Sequence, residues 1–323
     1  MTNDKHLNIG VVGLGSMGIN HVRLYSGLKN IDKVFVFDTN KDKSKNVANK
    51  FGAIHVNSLK DMLSCDGVSI SSPTETHYDV AKFFLENKVN CLVEKPLSLN
   101  YKEAKIINDI ALLNKSILMV GHVEHFNPAF LELKNIIKNN KAEIFSIESR
   151  RLSYARLDLD KSVDVIFDLM IHDIELIVSL VGKNIKEISS NRSFGEDEWG
   201  HVSAICSSDN GTSINLTSSR ITQNKIRTMD VNSSLGYFHL DFIKQELILN
   251  KTGFTENAFN SKDSIHKLEI TSDKFFIRNE EPLRMELEHF ISCIKDKNTP
   301  ITNGLNASYA VMIAEKIKEK AFI

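Results

Sequence analysis

The segment "VIFDLMIHDIELI", residues 165–177, carries three polar side chains, Asp168, His172 and Glu175, within an otherwise apolar stretch. Because an α-helix has about 3.6 residues per turn, positions i, i+4 and i+7 lie on one face, and the three side chains form a stripe. Such a stripe is typical of an amphipathic helix whose polar face meets water. It also suits a carboxylate and an imidazole presented together to a substrate, with Glu175 as a surface or structural residue. The segment alone leaves both interpretations open.

A glycine-rich loop, Gly13-x-Gly15-x-x-Gly18, follows a predicted strand and opens a predicted helix. In a dinucleotide-binding fold the first glycine permits a tight turn, the second lets the backbone approach a pyrophosphate, and the third lets the helix pack on the strand. The N–H groups at the start of the helix are free to bind the anion. The loop therefore predicts a bound dinucleotide.

Asp38 bears on the choice of dinucleotide. It ends the second predicted strand, twenty residues after Gly18, where an acidic side chain accepts hydrogen bonds from the adenosine ribose. A carboxylate here would repel a 2′-phosphate, and no arginine follows that would bind one. The sequence therefore favours NAD over NADP, although Lys41 and Lys43 leave NADP open.

Two polar segments, "SSPTETH" and "EKPLS", follow two further predicted strands. Ligands of an open parallel sheet lie beyond the carboxyl ends of its strands, which is where both segments fall. Lys95 of the second segment precedes Pro96, which restrains it towards an extended conformation. A lysine is usually a solvated surface residue, but this position favours a functional one. His77 has a weaker case, since it could lie on a helix surface.

The first part of the chain alternates short apolar runs with helical patterns. Strand followed by helix at this spacing predicts right-handed βαβ units and a parallel sheet. We therefore expect a doubly wound Rossmann domain over residues 1–121. Its predicted strands are 7–13, 33–38, 67–71, 89–94 and 116–121, and its predicted helices are 16–29, 41–51, 75–87 and 100–114.

The remainder, residues 122–323, is predicted to form a second domain, whose last helix can pack back on the first domain. Short alternating runs from 185 to 250, separated by turn residues, are typical of an antiparallel meander. Other predicted elements are helices near 128–140, 281–296 and 304–320, a strand at 142–152 and the helix that carries the stripe. Most of 251–279 is polar and gives no clear pattern.

The composition excludes several classes of protein. The chain has 323 residues, 42% of them hydrophobic, and a net charge of −1, with no basic cluster of the kind that binds nucleic acid. It shows neither a signal peptide nor an apolar run long enough to span a membrane, so we expect a cytoplasmic protein. Its four cysteines are scattered, which predicts reduced thiols and no metal site.

Taken together, the glycine loop, "SPTETH", "EKPLS" and the Asp168-x-x-x-His172 spacing resemble the glucose-fructose oxidoreductase/inositol dehydrogenase/MocA (Gfo/Idh/MocA) family. The resemblance runs through nearly the whole chain in matching order. It implies a Rossmann domain followed by an α/β domain with a large, mostly antiparallel open sheet. It also implies a nicotinamide held between the two domains, sugar or cyclitol substrates, and a homo-oligomer with the open sheet as its natural interface.

The same resemblance implies the site residues. Lys95 and His172 occupy the family's catalytic positions, and Asp168 is the assisting carboxylate. Either Lys95 or His172 could be the base. The implied cofactor-binding residues are Gly13, Gly15, Ser16, Met17, Gly18, Asp38, Ser72, Pro73, Thr74, His77, Glu94 and Lys95. The implied substrate-binding residues are His122, His125, Asn127, Arg151 and His172.

Three segments, "GHVEHFNPAF", "ESRRLS" and "DLMIHDIELI", are similar to the branch of UDP-N-acetylglucosamine 3-dehydrogenases, which oxidise the sugar C3 hydroxyl to a keto group. That branch usually has arginine where this chain has His125, and a neutral histidine would hold a phosphate or carboxylate less firmly. An inositol or free-sugar dehydrogenase of the same family is the main alternative. A dinucleotide-binding regulator without turnover is the other, although retention of Lys95, Asp168 and His172 argues against it.

Overall fold

The computed structural model describes residues 6–154, 163–193, 199–256 and 266–322. The chain forms two compact units: the first runs to His125 and includes Glu281–Glu315, and the second consists of Phe126–Glu280 with the residues from Lys316 onwards. The sequence predicts that residues 281–315 belong to the second domain and that only the last helix packs back on the first, whereas the structure groups the whole segment with the first unit. The segment lies in the first unit because its apolar face packs on the parallel sheet.

The first unit is built on a parallel sheet. Its strand order is β3-β2-β1-β4-β5-β6, with every pair of neighbours parallel in the described part of the chain. The strands are β1 (Leu7–Val12), β2 (Ile31–Phe37), β3 (Ile54–His55), β4 (Gly67–Ile70), β5 (Asn90–Glu94) and β6 (Leu118–Gly121). The chain leaves β1 towards β2 and β3, then returns to β4 on the other side of β1. This reversal creates the crevice in which open α/β sheets bind ligands.

Helices connect these strands, as the alternating pattern predicted. They are α1 (Ser16–Tyr25), α2 (Lys41–Phe51), α3 (His77–Glu86) and α4 (Tyr101–Asn114). Side-chain caps fix two of the starts: Asn40 Oδ1 accepts a hydrogen bond from Lys43 N (3.0 Å), and Asn100 Oδ1 accepts one from Glu103 N (2.9 Å). Such caps satisfy N–H groups that the first turn leaves without an intrahelical partner.

Two later helices complete the first unit, α7 (Pro282–Asp296) and the greater part of α8 (Gly304–Glu319). The packing of α7 is close at Gly67, the first residue of β4. A Cβ there would lie 2.7 Å from Ile294 Cδ1 and 3.1 Å from the Phe290 ring. Phe290 is fully buried. The absence of a side chain at Gly67 thus lets α7 lie directly against the sheet.

The second unit contains a larger sheet of order β14-β13-β12-β11-β7-β10-β9-β8-β15 within the described residues. Its neighbours are antiparallel except β7 with β10 and β8 with β15. The strands are β7 (Ile144–Tyr154), β8 (Ile185–Arg192), β9 (His201–Ser208), β10 (Ser213–Thr222), β11 (Ile226–Ser233), β12 (Gly236–Asp241), β13 (Glu246–Glu256), β14 (His266–Lys274) and β15 (Ala321–Phe322). The predicted Rossmann domain and mostly antiparallel sheet are both confirmed.

The sequence predicts one continuous antiparallel meander over residues 185–250. In the structure, β7 lies between β10 and β11 and divides these strands into two groups. One face of the sheet is buried there: Ile147 pairs with Ile214 on one side and Val231 on the other, and all three are fully buried. Helices α5 (Pro128–Asn139) and α6 (Ile171–Val181) belong to the same unit. No helix in the described residues is long and apolar enough to cross a membrane.

Candidate active site

Two of the three glycines in the loop after β1 lie where no other residue would fit. Gly13 has a φ of +82°, and a Cβ there would lie 2.5 Å from Ser72 Cα. A Cβ at Gly18 would overlap the Gly13 carbonyl oxygen. At Gly15, in contrast, no atom lies within 4 Å of the Cβ position. The loop is therefore tight against β4 and α1 but open where a pyrophosphate would approach.

The surroundings of the loop fit a dinucleotide as well. Gly15 is the N-cap of α1 and has no side chain to bind the first-turn N–H groups, which is the arrangement that binds phosphate. Ser16 and Met17, which follow it, are exposed. Asp38 Oδ2 accepts a hydrogen bond from Leu14 N (2.8 Å), so the carboxylate is held beside the loop.

His77 connects the segments that follow β4 and β5. Its Nδ1 lies 2.9 Å from the Pro96 carbonyl oxygen and its Nε2 lies 2.9 Å from that of Ser72. Burial lowers the pKa of His77, although the two backbone hydrogen bonds act in the opposite direction. The alternative of a helix-surface histidine is wrong, because the side chain is buried. Ser72, Pro73 and Thr74 lie beside it, and their contact with a cofactor stays a prediction.

Lys95 directly follows β5 and is partly exposed, whereas its neighbour Glu94 is buried. Glu94 Oε1 lies 3.1 Å from His21 Nε2, and Glu94 Oε2 accepts a hydrogen bond from Lys95 N (3.3 Å). Burial acts to raise the pKa of Glu94, but the His21 hydrogen bond and the charges of His21, Lys95 and His77 outweigh it and hold the pKa below its usual range. The backbone at Lys95 is thus anchored to an ionised carboxylate.

Sequence reasoning missed His21. A signal was present, because His21 comes three residues after Gly18 and is followed on the helix by the apolar Val22 and Leu24. A polar side chain on the buried side of a helix needs a partner, and here that partner is Glu94. His21 itself is fully buried.

His122 and His125, just after β6, are also buried. Burial, together with the charge of Lys95, lowers the pKa of His122 to about 3. His122 is therefore a neutral imidazole that lies within the electrostatic reach of Lys95. A neutral side chain at this position can donate or accept a hydrogen bond, which suits a hydroxyl-bearing ligand.

Asn127, in the second unit, has a local structural role. Its Oδ1 accepts a hydrogen bond from Ala129 N (3.1 Å) as the N-cap of α5, and its Nδ2 donates to the Phe242 carbonyl oxygen (3.0 Å). Both ends of the amide therefore bind backbone. The predicted contact of Asn127 with substrate stays a prediction.

The stripe that carries Asp168 and His172 is not a solvated helix face. Between residues 164 and 178, only Asp168, Leu169 and His172 are partly exposed, and Glu175 is buried with the rest. Residues Ile166–Met170 form a π-helical turn that leads directly into α6. Such turns are frequent at functional sites. The carboxylate and imidazole thus reach the surface at the start of the helix, within an apolar surrounding.

Arg151 and Asp173 form a buried ion pair between β7 and α6. Arg151 Nη2 donates to Asp173 Oδ1 (2.8 Å) and Arg151 Nε to Asp173 Oδ2 (3.0 Å), and both side chains are 2% exposed. The guanidinium also lies over the Phe242 ring, 5.5 Å from its centroid. The ion pair therefore joins α6 to β7, and the predicted contact of Arg151 with substrate stays a prediction.

The chain is similar to known oxidoreductases. Residues 7–122 match the model of the Gfo/Idh/MocA family, described as an oxidoreductase family with an NAD-binding Rossmann fold. A UDP-N-acetylglucosamine 3-dehydrogenase from Acidithiobacillus ferrooxidans is 30% identical over 254 residues, which cover 77% of this chain and 78% of the relative. An inositol 2-dehydrogenase from Rhizobium meliloti is 24% identical over 96% of this chain and 95% of its own.

Solved structures extend this similarity to the whole fold. The structure of UDP-N-acetylglucosamine 3-dehydrogenase GnnA from Acidithiobacillus ferrooxidans has a TM-score of 0.85 at 25% identity and covers 98% of each chain. A levoglucosan dehydrogenase in complex with NADH has a TM-score of 0.83 at 17% identity, covers 98% of this chain and 97% of its own, and supports the fold alone. The predicted enzyme class, an NAD(P)-dependent dehydrogenase, is confirmed, and the chain belongs to the Gfo/Idh/MocA family of oxidoreductases.

Proposed function

We propose that the protein oxidises the C3 hydroxyl of a nucleotide-activated N-acetylhexosamine, such as UDP-N-acetylglucosamine, to a keto group with NAD as the hydride acceptor. The observation that carries this proposal is the similarity to the Acidithiobacillus ferrooxidans enzyme, which extends through both units. The segments "GHVEHFNPAF" and "DLMIHDIELI" support the same substrate.

The first unit supplies the cofactor site. The Gly13–Gly18 loop and the N-terminus of α1 would hold the pyrophosphate, and Asp38 would hold the adenosine ribose. A nicotinamide held there would supply the acceptor for the hydride that leaves the carbon carrying the hydroxyl. We propose NAD over NADP because a 2′-phosphate would meet the Asp38 carboxylate. Lys43 Nζ lies 3.9 Å from Asp38 Oδ2, but its side chain is 42% exposed and compensates that charge only weakly.

The second unit supplies the acid–base group in this proposal. His172 accepts the proton of the substrate hydroxyl, since an imidazole has an ordinary pKa near the working pH. Asp168 precedes it by four residues on the same segment and stabilises its charged form. Lys95 donates a hydrogen bond to the reacting oxygen and stabilises its negative charge. The opposite assignment, with Lys95 as the base, uses the same residues.

An inositol or free-sugar dehydrogenase of the same family is the second candidate function. It is favoured by the inositol 2-dehydrogenase of Rhizobium meliloti, whose match covers nearly all of this chain. His125 favours it as well, because arginine is usual at this position in the UDP-sugar branch and a neutral histidine binds phosphate less firmly. Inositol carries no phosphate, so it would not need such a residue.

The experiment is a substrate panel. Purified protein and NAD are mixed in turn with UDP-N-acetylglucosamine, UDP-N-acetylgalactosamine, myo-inositol and glucose, and reduced nicotinamide is followed by its absorbance. We expect efficient turnover of a UDP-sugar by the wild type and a kcat lower by roughly 10²–10⁴-fold in His172→Ala. Efficient turnover of myo-inositol or glucose alone would favour the second candidate. NAD binding by calorimetry with no turnover of any compound would favour a regulator instead.

A further inference from the structure

A buried polar cluster lies in the first unit where α1, β4, β5 and α7 meet. It consists of His21, Tyr25, Ser69, Glu94 and Glu286, of which Glu94 is 8% exposed and the others 0%. Tyr25 Oη and Ser69 Oγ lie 2.8 Å apart, and His21 Nε2 lies 3.1 Å from Glu94 Oε1. The His21 and Tyr25 rings pack edge to face, with centroids 6.3 Å apart. We call this the α1–α7 cluster.

Glu286 is the exceptional member of the cluster. Neither of its carboxyl oxygens, nor His21 Nδ1, has a hydrogen-bond partner in the described part of the chain, and all three atoms are inaccessible to solvent. An ionised carboxylate in such a site would cost many kcal/mol, so the group takes a proton instead. Burial, together with the charge of Glu94, accordingly raises the pKa of Glu286 well above its usual range.

The two carboxyl groups of the cluster therefore differ in charge. Glu94 is held ionised by His21 and by neighbouring positive charge, whereas Glu286 is a neutral acid. Two carboxyl groups that share a site share one proton in this way, because both cannot be ionised together. The other titratable groups whose charge couples to Glu94 are Tyr25, His77, Lys95 and His122.

We propose that His21 is a positioning residue for Lys95 and acts through the Glu94 carboxylate, beside which Glu286 is held as a neutral acid. Glu94 is the link, because one of its oxygens contacts His21 and the other accepts the hydrogen bond from Lys95 N. As a neutral acid Glu286 adds no second negative charge beside Glu94. The proposal rests on the role of Lys95 in the proposed function.

Three variants separate this role from general packing. Glu286→Gln keeps the shape and neutrality of the protonated acid, so we expect activity within about twofold of the wild type. His21→Phe removes the hydrogen bond that helps to hold Glu94 ionised, so Glu94 should take up a proton at higher pH. We expect His21→Phe to lower kcat by about 10- to 100-fold through displacement of Lys95 and to move the acid limb of the kcat–pH profile upwards. Glu286→Leu is neutral like the protonated acid and should leave the acid limb in place. Glu288→Gln, on the exposed side of α7, is the matched control.

Infrared spectroscopy tests the protonation state without any substrate. At neutral pH, wild type minus Glu286→Gln should show the carbonyl stretch of a protonated carboxylic acid, and wild type minus Glu288→Gln should not. Absence of that band would overturn the proposal. NAD affinity should be the same in Glu286→Gln and Glu288→Gln, because both leave the dinucleotide loop and the contact between Glu94 and Lys95 unchanged.

The kinetic arm distinguishes failure of this proposal from failure of the proposed function. Absence of turnover by the wild type on the whole substrate panel would count against the proposed function, and a present infrared band would still support the neutral Glu286. Turnover by the wild type with an unshifted acid limb in His21→Phe would overturn the positioning role. If His21→Phe does not fold, the same measurement on His21→Asn decides it.

Discussion

Replacing Glu175 with glutamine would measure the effect of a buried carboxyl group on the stability of the second unit. Glu175 lies on α6 and is 1% exposed. Burial raises its pKa from 4.5 to about 8, and the charge of Lys134 opposes this shift only in part. The folded protein therefore holds a proton on Glu175 over a range of pH in which the unfolded chain has released it.

The magnitude follows from this difference in proton binding. Between the unfolded pKa of 4.5 and the folded pKa of about 8, raising the pH destabilises the folded state, by up to about 1.4 kcal/mol per pH unit. The stabilisation that this bound proton gives to the folded state is complete below pH 4.5. It decreases as the pH rises and is lost once the pH passes the folded pKa of about 8. From pH 4.5 to pH 7 the free energy of unfolding should fall by about 3 kcal/mol from this group. Glutamine cannot ionise and should remove this dependence.

The assay is thermal unfolding of the wild type and Glu175→Gln at a series of pH values from 5 to 8. The melting temperature of the variant relative to the wild type should rise with pH, by roughly 2–4 °C for each kcal/mol. Glu143→Gln, at an exposed position of the same unit, is the control and should show no such trend. A difference between Glu175→Gln and the wild type that does not change with pH would refute the reasoning.

Three further predictions concern the cofactor, the catalytic residues and the buried ion pair. Because of Asp38, calorimetric titration should give tighter binding of NAD than of NADP, and the reverse order would contradict the assignment. His172→Ala should lower kcat by roughly 10²–10⁴-fold with NAD affinity unchanged. Lys95→Ala should lower kcat by a comparable factor. The double variant should lower kcat by less than the product of the two single reductions, because both side chains act on one oxygen. A reduction equal to that product would argue against a shared oxygen. Arg151→Met leaves Asp173 buried without its cation and should destabilise the protein by about 3–5 kcal/mol in urea unfolding, whereas a loss below about 1 kcal/mol would argue against the pair as the anchor of α6.

The helices and strands could be predicted where the spacing of apolar residues along the sequence is regular. The five predicted strands of the first unit are present as β1, β2, β4, β5 and β6, because each contains a short run of apolar residues. Strand β3 was missed since two residues, Ile54–His55, are too few to show a pattern. Strand β14 was missed for a different reason: it lies at the edge of its sheet, and no apolar alternation marks it in the polar segment.

Tertiary contacts could not be predicted in the same way. Helical spacing placed Glu175 on one stripe with Asp168 and His172, but the packing around α6 buries Glu175 and leaves the other two partly exposed. His21 and Glu286 join one cluster from opposite ends of the sequence, and no local pattern links them. The catalytic and ligand-binding roles of individual residues, the homo-oligomer and the cytoplasmic location stay predictions.

The central claim is that hydride leaves C3 of a UDP-linked N-acetylhexosamine. The most direct test uses UDP-N-acetylglucosamine that carries deuterium at C3, incubated with the protein and NAD. We predict that nuclear magnetic resonance will find the deuterium at C4 of the reduced nicotinamide and a 3-keto sugar as the product. Reduced nicotinamide without deuterium would contradict oxidation at C3, and absence of reduction under conditions in which myo-inositol is oxidised would contradict the proposed substrate.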